Sequence, residues 1–252
     1  MYLVSVIMNC HNGEKFLRQS INSLLSQSYK NWELIFFDNV SKDKSIKIAK
    51  GFNDKRIKIY KTLKYMKLYS ARNAALKKTK GKIICFLDTD DLWKKNKLKE
   101  QLKIFHKKKR KVVYSNYLIR NQIKKKEYIF EKKLLPSGFI TQNLLNKNII
   151  GIHTSMISKE IFKKIRFNSS YEIIGDYDFF LKLSLTEKIF SIQKPLAIYR
   201  HHTSNFSLKT NVFLNELVRW KKENKKMFKK FNFNRFTFQI IKMKVKQFKI
   251  LN

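Results

Sequence analysis

The chain has 252 residues, 43% of them hydrophobic, which is enough for one large domain with a substantial core or for a domain with an appendage. No stretch of the sequence approaches 18 uncharged apolar residues, so a transmembrane span is excluded, and with only two cysteines a disulfide framework is excluded too. There are 56 Lys and Arg against 18 Asp and Glu, a formal net charge of +38, so any cluster of acidic side chains is informative.

The first half of the chain alternates predicted strands and helices. Continuous apolar, β-branched runs predict buried strands, and apolar residues that recur every three or four positions predict the helices between them. The predicted strands are Tyr2–Met8, Trp32–Phe37, Arg56–Tyr60, Lys82–Leu87 and Val112–Tyr117, and the predicted helices are Glu14–Ser28, Ile46–Ala49, Ser70–Lys78 and Leu92–Phe105. This alternation predicts an α/β fold with a mainly parallel sheet flanked by helices.

The alternation stops near residue 118, and the second half is less regular. A charged hairpin or loop is predicted at Lys124–Lys133, a short helix at Thr141–Asn146 and a strand at Ile152–Ser158. A further helix is predicted at Asp178–Thr186 and a strand at Ile189–Tyr199, after which the chain becomes basic and aromatic. We therefore expect a second half with a different architecture from the first.

Polar side chains follow three of the predicted strands. Asn9–Asn12 follows the first strand, Asp38-Asn39 the second and Asp88–Asp91 the fourth. Because ligands of open α/β sheets bind outside the carboxyl ends of the strands, these groups predict a crevice at one edge of the sheet. No glycine-rich phosphate loop follows the first strand, so a bound diphosphate would be neutralised by a divalent cation on the Asp cluster.

The Asp cluster has two alternative interpretations. Asp90 or Asp91 could cap a helix that begins near Leu92, although one cap needs one carboxylate and the sequence places three within four positions. An EF-hand is excluded, because Trp93 stands where its calcium loop needs glycine.

Three segments, in this order, resemble the family-2 glycosyltransferases of the GT-A fold. They are VSVIMNCHNGEKFLRQSINSLLSQSYKNWELIFFDNVSKD (4–43), SARNAAL (70–76) and FLDTDDLW (86–93). The resemblance covers about residues 3–205. It implies a Rossmann-like catalytic domain at 1–205, with a nucleotide-binding half at about 1–117 and an acceptor half at about 118–205, followed by a basic extension at 206–252.

By this resemblance the crevice binds a nucleotide sugar together with Mn²⁺ or Mg²⁺. The implied nucleotide-sugar ligands are Asn9, His11, Asp38, Asn39, Arg72, Asp88 and Asp90, and the implied metal ligands are Asp90, Asp91 and His202. The family usually has a second Asp where this chain has Asn39. Since an amide can donate as well as accept hydrogen bonds, the resemblance does not predict which nucleobase binds.

The segment Ile174–Phe180 resembles the family's Glu-Asp region, in which the Asp is the catalytic base. Gly175 replaces the usual Glu, so the resemblance assigns the base to Asp176. A base at this place would deprotonate an acceptor hydroxyl as it attacks the anomeric carbon, which inverts the configuration. The alternative is that Asp176 caps a helix, with Asp178 in its first turn.

The basic extension also has two interpretations. Residues 206–252 hold 13 Lys and Arg against two Glu, a net charge of +11. One helical face would carry the apolar side chains Phe213, Leu217, Trp220, Met227 and Phe231. This pattern predicts an interfacial helix on an anionic membrane, or else a helix packed on the catalytic domain with a solvated basic face.

The sequence thus predicts an inverting, metal-dependent glycosyltransferase that acts on a glycan or lipid-linked acceptor in bacterial surface polysaccharide synthesis. We expect it in the cytoplasm or peripheral on the cytoplasmic face of the membrane, since neither a signal peptide nor a spanning segment is predicted. The alternatives are a basic nucleic-acid-binding protein and a nucleotidyltransferase of similar fold. Nucleic acid is not expected as a partner, because the acidic crevice would repel phosphates and no RNA- or DNA-binding motif is present.

Overall fold

A nine-stranded mixed sheet lies at the centre of the described part of the chain, which in this computed structural model is residues 2–107, 110–205 and 208–251. The strands are β1 Val4–Cys10, β2 Trp32–Asp38, β3 Ile57–Lys61, β4 Ile83–Phe86, β5 Leu92–Trp93, β6 Val112–Asn121, β7 Lys126–Ile129, β8 Met156–Ser158 and β9 Phe190–His201. The helices are α1 Glu14–Leu25, α2 Ser45–Lys50, α3 Leu68–Leu76, α4 Lys97–His106, α5 Thr141–Asn146, α6 Ile161–Lys164, α7 Gly175–Ser184, α8 Thr210–Asn224 and α9 Asn234–Leu251. The predicted α/β architecture is confirmed.

The first four strands form the parallel half of the sheet, in the order β3-β2-β1-β4. Every residue of β2 is buried, including Glu33 and Asp38, because helices cover both faces of a parallel sheet. Val4 pairs with Trp32 and Cys10 pairs with Asp38, so β1 and β2 end at the same level. The polar residues that follow these strands therefore meet at one edge, which we call the strand-end edge.

The remaining strands extend the sheet with mixed directions. β8 runs antiparallel to β4 and to β6, while β9 runs parallel to β6 and antiparallel to β5. Leu92 pairs with Ile198, so the end of β9 lies beside the segment that follows β4. Of the charged hairpin or loop predicted at Lys124–Lys133, the structure forms the strand β7, which makes a hairpin with the earlier strand β6.

Two predicted elements are wrong in part. The helix expected to begin near Leu92 begins at Lys97, because Leu92 and Trp93 pair with β9 instead. Asp90 and Asp91 therefore do not cap it, and the capping interpretation of the Asp cluster fails. The strand expected at Ile152–Ser158 is a 3₁₀ turn, Ile152–Thr154, followed by the short strand β8.

The C-terminal helices pack onto the core around Tyr177. Leu217, Trp220 and Phe228 are buried in the same core cluster as Tyr177, whose ring centroid lies 6.1 Å from that of Trp220. The observed arrangement is thus the packed helix, and the interpretation of the Leu217 and Trp220 face as lipid-facing is wrong. Among the described residues, no helix combines the length and apolarity needed to cross a bilayer.

Candidate active site

The ends of β1 and β2 present unpaired polar atoms. Asp38 is buried, and its Oδ2 accepts a hydrogen bond of 3.1 Å from the backbone N–H of Ser41. Among the described residues, neither Asp38 Oδ1 nor either polar atom of the Asn9 amide has a hydrogen-bond partner. Buried polar atoms are normally paired, so these three atoms are suited to bind a ligand.

Asn39 and His11 shape the wall of the crevice beside Asp38. The Asn39 amide donates to the carbonyl of Met66 (2.6 Å) and accepts from the N–H of Met66 (2.9 Å). His11 Nδ1 lies 2.8 Å from the carbonyl oxygen of Asn39, and its ring meets the edge of Tyr65 at 5.0 Å. Because an Asp could not donate to the Met66 carbonyl, Asn39 holds the loop between β3 and α3 in a way that Asp would not.

Backbone strain marks the loop that follows Asn39. Val40 adopts a φ of +60°, a left-handed conformation that β-branched residues rarely take. Such strain is found mostly at functional sites, where the surrounding structure holds it in place. The loop after β2 is therefore built to a fixed geometry.

Arg72 on α3 connects the two halves of the site. Its guanidinium is 2% exposed and donates to Asp88 Oδ1 at 2.9 Å and also to Asp176 Oδ1. Burial favours the neutral form, but the carboxylates of Asp176 and Asp88 outweigh it and raise the pKa of Arg72. The structure thus places this predicted nucleotide contact between two carboxylates.

Asp176 lies in the first turn of α7, which begins at Gly175 after the N-cap residue Ile174. Its side chain makes no capping hydrogen bond, so the helix-cap interpretation of Asp176 is wrong. Burial raises the pKa of the Asp176 carboxyl, against the opposing effect of Arg72. A Cβ at Gly175 would lie 2.5 Å from the Tyr69 ring, so the ring occupies the space that a side chain at this position would need.

The side chains of Asp88, Asp90 and Asp91 point to three different partners. Asp88 binds Arg72, and Asp90 Oδ2 lies 3.1 Å from His202 Nε2. Burial and the charge of Asp88 raise the pKa of Asp90. The three neighbouring carboxylates thus have different partners, although their charges still raise the pKa values of Asp90 and Asp91.

Asp91 lies beneath the site, only 1% exposed. Its Oδ1 accepts the backbone N–H of Arg200 at 3.0 Å, and its Oδ2 lies 3.2 Å from His153 Nδ1. Burial, followed by the charges of Asp90 and Asp88, raises the pKa of Asp91 well above its usual range, and burial lowers that of His153 to about 4. Both oxygens of Asp91 are therefore used inside the protein.

The side chain of Arg200, on β9, donates hydrogen bonds to the Asp cluster and to α1. Its buried guanidinium donates to the backbone carbonyl of Asp90, to Gln19 Oε1 and, at 3.4 Å, to the carbonyl of Phe16. The ring of Phe16 lies 4.6 Å from that of His202. Arg200 thus holds in place the loop that carries Asp90.

The fit of a divalent cation can be judged from the donor atoms. No group of three or more His, Cys, Asp or Glu side chains is arranged for a metal ion in the described ranges. Asp90 Oδ2 lies 3.1 Å from His202 Nε2. A carboxylate suits either Mn²⁺ or Mg²⁺ when phosphate oxygens and water complete the shell, and an imidazole nitrogen favours Mn²⁺ over Mg²⁺. The residues present therefore fit a metal shared with a diphosphate, with Asp90 and His202 as protein ligands.

The family model described as "Glycosyl transferase family 2" matches residues 5–166. The chain belongs to this family. A curated relative, the UDP-Glc:alpha-D-GlcNAc-diphosphoundecaprenol beta-1,3-glucosyltransferase WfgD of Escherichia coli, is 34% identical over 223 residues, 87% of this chain and 84% of the relative. The resemblance noted from the sequence motifs is confirmed.

Solved structures confirm the GT-A fold of the family-2 chain. S. aureus TarS 1-349 in complex with UDP-GlcNAc aligns with a TM-score of 0.69 and 18% identity, over 86% of this chain and 66% of that one. The mannosyltransferase PcManGT from Pyrobaculum calidifontis, in complex with GDP-Man and Mn2+, aligns with a TM-score of 0.67 and 13% identity, over 89% of this chain and 64% of that one. At these identities the likeness establishes the fold.

Several residues that build the site were not found from the sequence. Arg200 and His153 support the Asp cluster, and Glu216 and Trp220 bind the segment around Asp176. Glu216 is one of only two acids in the basic extension, and the scarcity of acids was a signal that could have singled it out. Trp220 was expected only as part of an apolar helical face, and for His153 the sequence offers no comparable signal.

Proposed function

We propose that this family-2 enzyme transfers a sugar, with inversion, from a nucleoside-diphosphate sugar to a hydroxyl of a lipid-linked glycan. The observation that carries the proposal is the position of Arg72, which donates to both Asp88 and Asp176. Through this one side chain the candidate base and the acidic end of β4 belong to a single hydrogen-bonded unit. An acceptor base beside a diphosphate site is the arrangement that direct displacement needs.

On the donor side, the unpaired atoms of Asn9 and Asp38 would bind the nucleoside, with His11 and Asn39 shaping the wall. Asp90 and His202 would hold Mn²⁺ or Mg²⁺, which when bound stabilises negative charge on the departing diphosphate. Asp88 keeps Arg72 charged and in place. These roles are consistent with the order of the three strand ends along the edge.

On the acceptor side, Asp176 would be the general base. Its Oδ1 is held by Arg72, which leaves Oδ2 for the acceptor hydroxyl. As the hydroxyl oxygen bonds to the anomeric carbon, its proton passes to Asp176 and the bond to the diphosphate breaks, so one displacement inverts that carbon. The raised pKa of Asp176 supports this role, because a base is most effective when its pKa approaches the working pH.

The acceptor class rests on the E. coli relative, whose name specifies a sugar linked to diphosphoundecaprenol. An acceptor with a lipid carrier would be met at a membrane surface. We therefore propose that the protein is peripheral on the cytoplasmic face of an anionic membrane. The exposed side of the basic extension at 206–252, which we call the tail, would contact that membrane. The exposed apolar side chains Met227, Phe238 and Ile241 and a groove of about 570 Å³ lined partly by Lys225, Lys226 and Lys229 support this attachment.

The transfer reaction is tested with a panel of nucleotide sugars. Purified protein is incubated with each of the UDP-, GDP- and dTDP-sugars, with Mn²⁺, Mg²⁺ or EDTA, and release of the nucleoside diphosphate is measured. We expect one nucleotide to be released in a metal-dependent way and to raise the melting temperature with the same metal. Release from no donor, with random DNA raising the melting temperature instead, would contradict the proposal.

The membrane contact is tested separately, because the buried Trp220 makes a tail deletion unsuitable. The triple variant Lys225→Glu, Lys226→Glu, Lys229→Glu is compared with wild type in co-sedimentation with anionic and neutral vesicles. We expect wild type to pellet with anionic vesicles only, less so at high salt, and the variant to stay in solution. Equal pelleting of both proteins would contradict the attachment, with no bearing on the transfer reaction.

A further inference from the structure

Helix α8 holds the segment that leads into the α7 turn carrying Asp176. The carboxylate of Glu216 is 7% exposed and faces the backbone of residues 172–174. Its Oε1 accepts the N–H of Glu172 at 2.5 Å, and its Oε2 accepts the N–H groups of Ile173 at 3.0 Å and Ile174 at 3.1 Å. A single side chain thus binds three consecutive backbone donors immediately before α7.

One of these three donors is the N–H group of Ile174, the N-cap residue of α7. The N–H groups at the start of a helix have no partner within the helix, and a carboxylate there gains further from the helix dipole. Across the segment, Tyr69 Oη donates to the carbonyl of Ile173 at 2.6 Å. The backbone before Asp176 is therefore fixed from two sides, by α3 and by α8.

A second contact joins α8 to the same turn. Trp220 Nε1 donates to Asp178 Oδ1 at 2.7 Å, and Lys182 Nζ lies 2.8 Å from that oxygen. Trp220 and Asp178 are both fully buried. Asp176 and Asp178 therefore lie in one turn whose orientation is set by α8 on one side and by Arg72 on the other.

We propose that Glu216 is a positioning residue for the reaction: it fixes residues 172–174 so that the Asp176 carboxylate faces the acceptor hydroxyl. The inference rests on the proposed function, in which Asp176 is the base. Glu216 contacts the backbone before α7 and none of the residues assigned to the donor, so we expect its effect in the turnover step. A displaced base slows proton transfer while the nucleotide site at the strand-end edge keeps its geometry.

Glu216→Gln is the test variant and Glu223→Gln, on the same helix, is its matched control. A glutamine at 216 has one acceptor oxygen for three N–H groups and turns an NH₂ group towards at least one of them. Glu223 is exposed and accepts a hydrogen bond from Tyr171 Oη that an amide oxygen can also accept. The two variants therefore lose the same charge and differ in their contact with residues 172–174.

For Glu216→Gln we expect kcat to fall by about tenfold to a hundredfold, with the KM for the donor and the UDP affinity unchanged. Amide hydrogen exchange should become faster at residues 172–176 and stay the same in β1 and β2. Glu223→Gln should match wild type in each measurement. A wild-type kcat in Glu216→Gln would overturn the inference.

Tyr69→Phe covers the case in which Glu216→Gln does not fold. It removes only the hydroxyl that holds the Ile173 carbonyl, and it should lower kcat with the donor KM unchanged; an unchanged kcat here would count equally against the inference. Asp176→Asn separates the two proposals. If Asp176→Asn transfers sugar at the wild-type rate, the proposed base is wrong, whereas an inactive Asp176→Asn beside a fully active Glu216→Gln refutes the positioning role alone.

Discussion

The strand-end edge and the C-terminal tail both place carboxylates in a strongly basic chain, but in different surroundings. At the edge, Asp38 keeps an unpaired oxygen and Asp90 is close to His202. Where the tail packs on α7, the carboxylate of Glu216 in the tail is engaged by backbone N–H groups and that of Asp178 by Trp220 and Lys182. The contrast is sharpest within α7, where Asp176 faces the edge and Asp178 faces the tail.

The difference shows that burial alone does not separate a functional acid from a structural one. Asp38 and Asp178 are equally inaccessible, yet only the first leaves an oxygen without a partner among the described residues. An acid whose hydrogen bonds are complete within the protein stabilises the fold. An acid with an unpaired oxygen at the strand-end edge can still accept a hydrogen bond from a ligand.

Exchanging the two acids of α7 for amides should give the largest effect. Asp176→Asn removes the proton acceptor, and we expect the transfer rate to fall by about 10²- to 10⁴-fold, with UDP affinity unchanged. Asp178→Asn keeps an acceptor for Trp220 Nε1 but loses the charge beside Lys182. It should therefore lower the free energy of unfolding, with little change in the transfer rate per folded molecule. Initial-rate kinetics and urea unfolding of both variants are the measurements. A loss of rate in Asp178→Asn with a loss of stability in Asp176→Asn would contradict the comparison.

Truncating the tail's buried indole tests whether the tail belongs to the core. Trp220→Ala removes a fully buried ring that contacts Tyr177, Phe228 and Phe236, and should cost about 3–5 kcal/mol of unfolding free energy. Val218→Ala, at an exposed position of the same helix, should cost less than about 0.5 kcal/mol. Equal stability of the two variants would mean that the tail is a separate appendage.

The acids at the edge are distinguished by metal-dependent binding. Asp90→Ala should weaken UDP binding in Mn²⁺ on the order of a hundredfold, about 3 kcal/mol, and should have little effect in EDTA. Asp91→Asn should instead reduce stability, because Asp91 supports Arg200 and His153. Titration calorimetry of both variants with and without Mn²⁺ is the measurement, and a metal-dependent loss confined to Asp91→Asn would reverse the assignment.

The smallest expected effect concerns Lys97, a fully buried cation at the start of α4. Its Nζ donates to Gln101 Oε1 at 2.6 Å and lies 4.1 Å from the Trp93 ring, and burial lowers its pKa to about 8. Because the folded protein binds this proton less tightly than the unfolded chain, its contribution to stability rises with pH above about 8 and levels off near 10.5, the ordinary pKa of lysine. Between pH 8 and 9.5 this effect should raise the free energy of unfolding of wild type by about 1–2 kcal/mol, and Lys97→Met should lack that rise. The free energy of unfolding in urea is measured for both proteins across this pH range. If it changes with pH in the same way in both, the prediction is wrong.

The sequence predicted much of the parallel half and of the strand-end edge, for local reasons. The strands β1, β2 and β4 are mostly apolar runs, and the polar residues at their ends are their immediate neighbours in the chain. The role of Asn39 was not visible, because it depends on the backbone of Met66, 27 residues away. Contacts of this kind are decided by packing and carry no sequence period.

The tail shows the same limit more clearly. Its apolar period was read correctly at Leu217 and Trp220, but α8 ends at Asn224, and Met227, expected on the same face, lies beyond the helix and is exposed. Periodicity also identifies a face and not the partner that covers it. The partner is the core around Tyr177, which only the fold reveals. Leu92 and Trp93 were misassigned for a similar reason, because their strand exists only through pairing with β9.

The distance along the chain between the Asp cluster and its partners has a consequence during synthesis. His202 and Arg200 contact Asp90 across 112 and 110 residues, respectively. While the ribosome is still translating the middle of the chain, the β4 segment has emerged without the basic groups that later compensate Asp90 and Asp91. At about 5–20 residues per second, this interval lasts several seconds or more. The nascent chain must keep these carboxylates in water throughout it, so the active site is completed late, after β9 has joined the sheet.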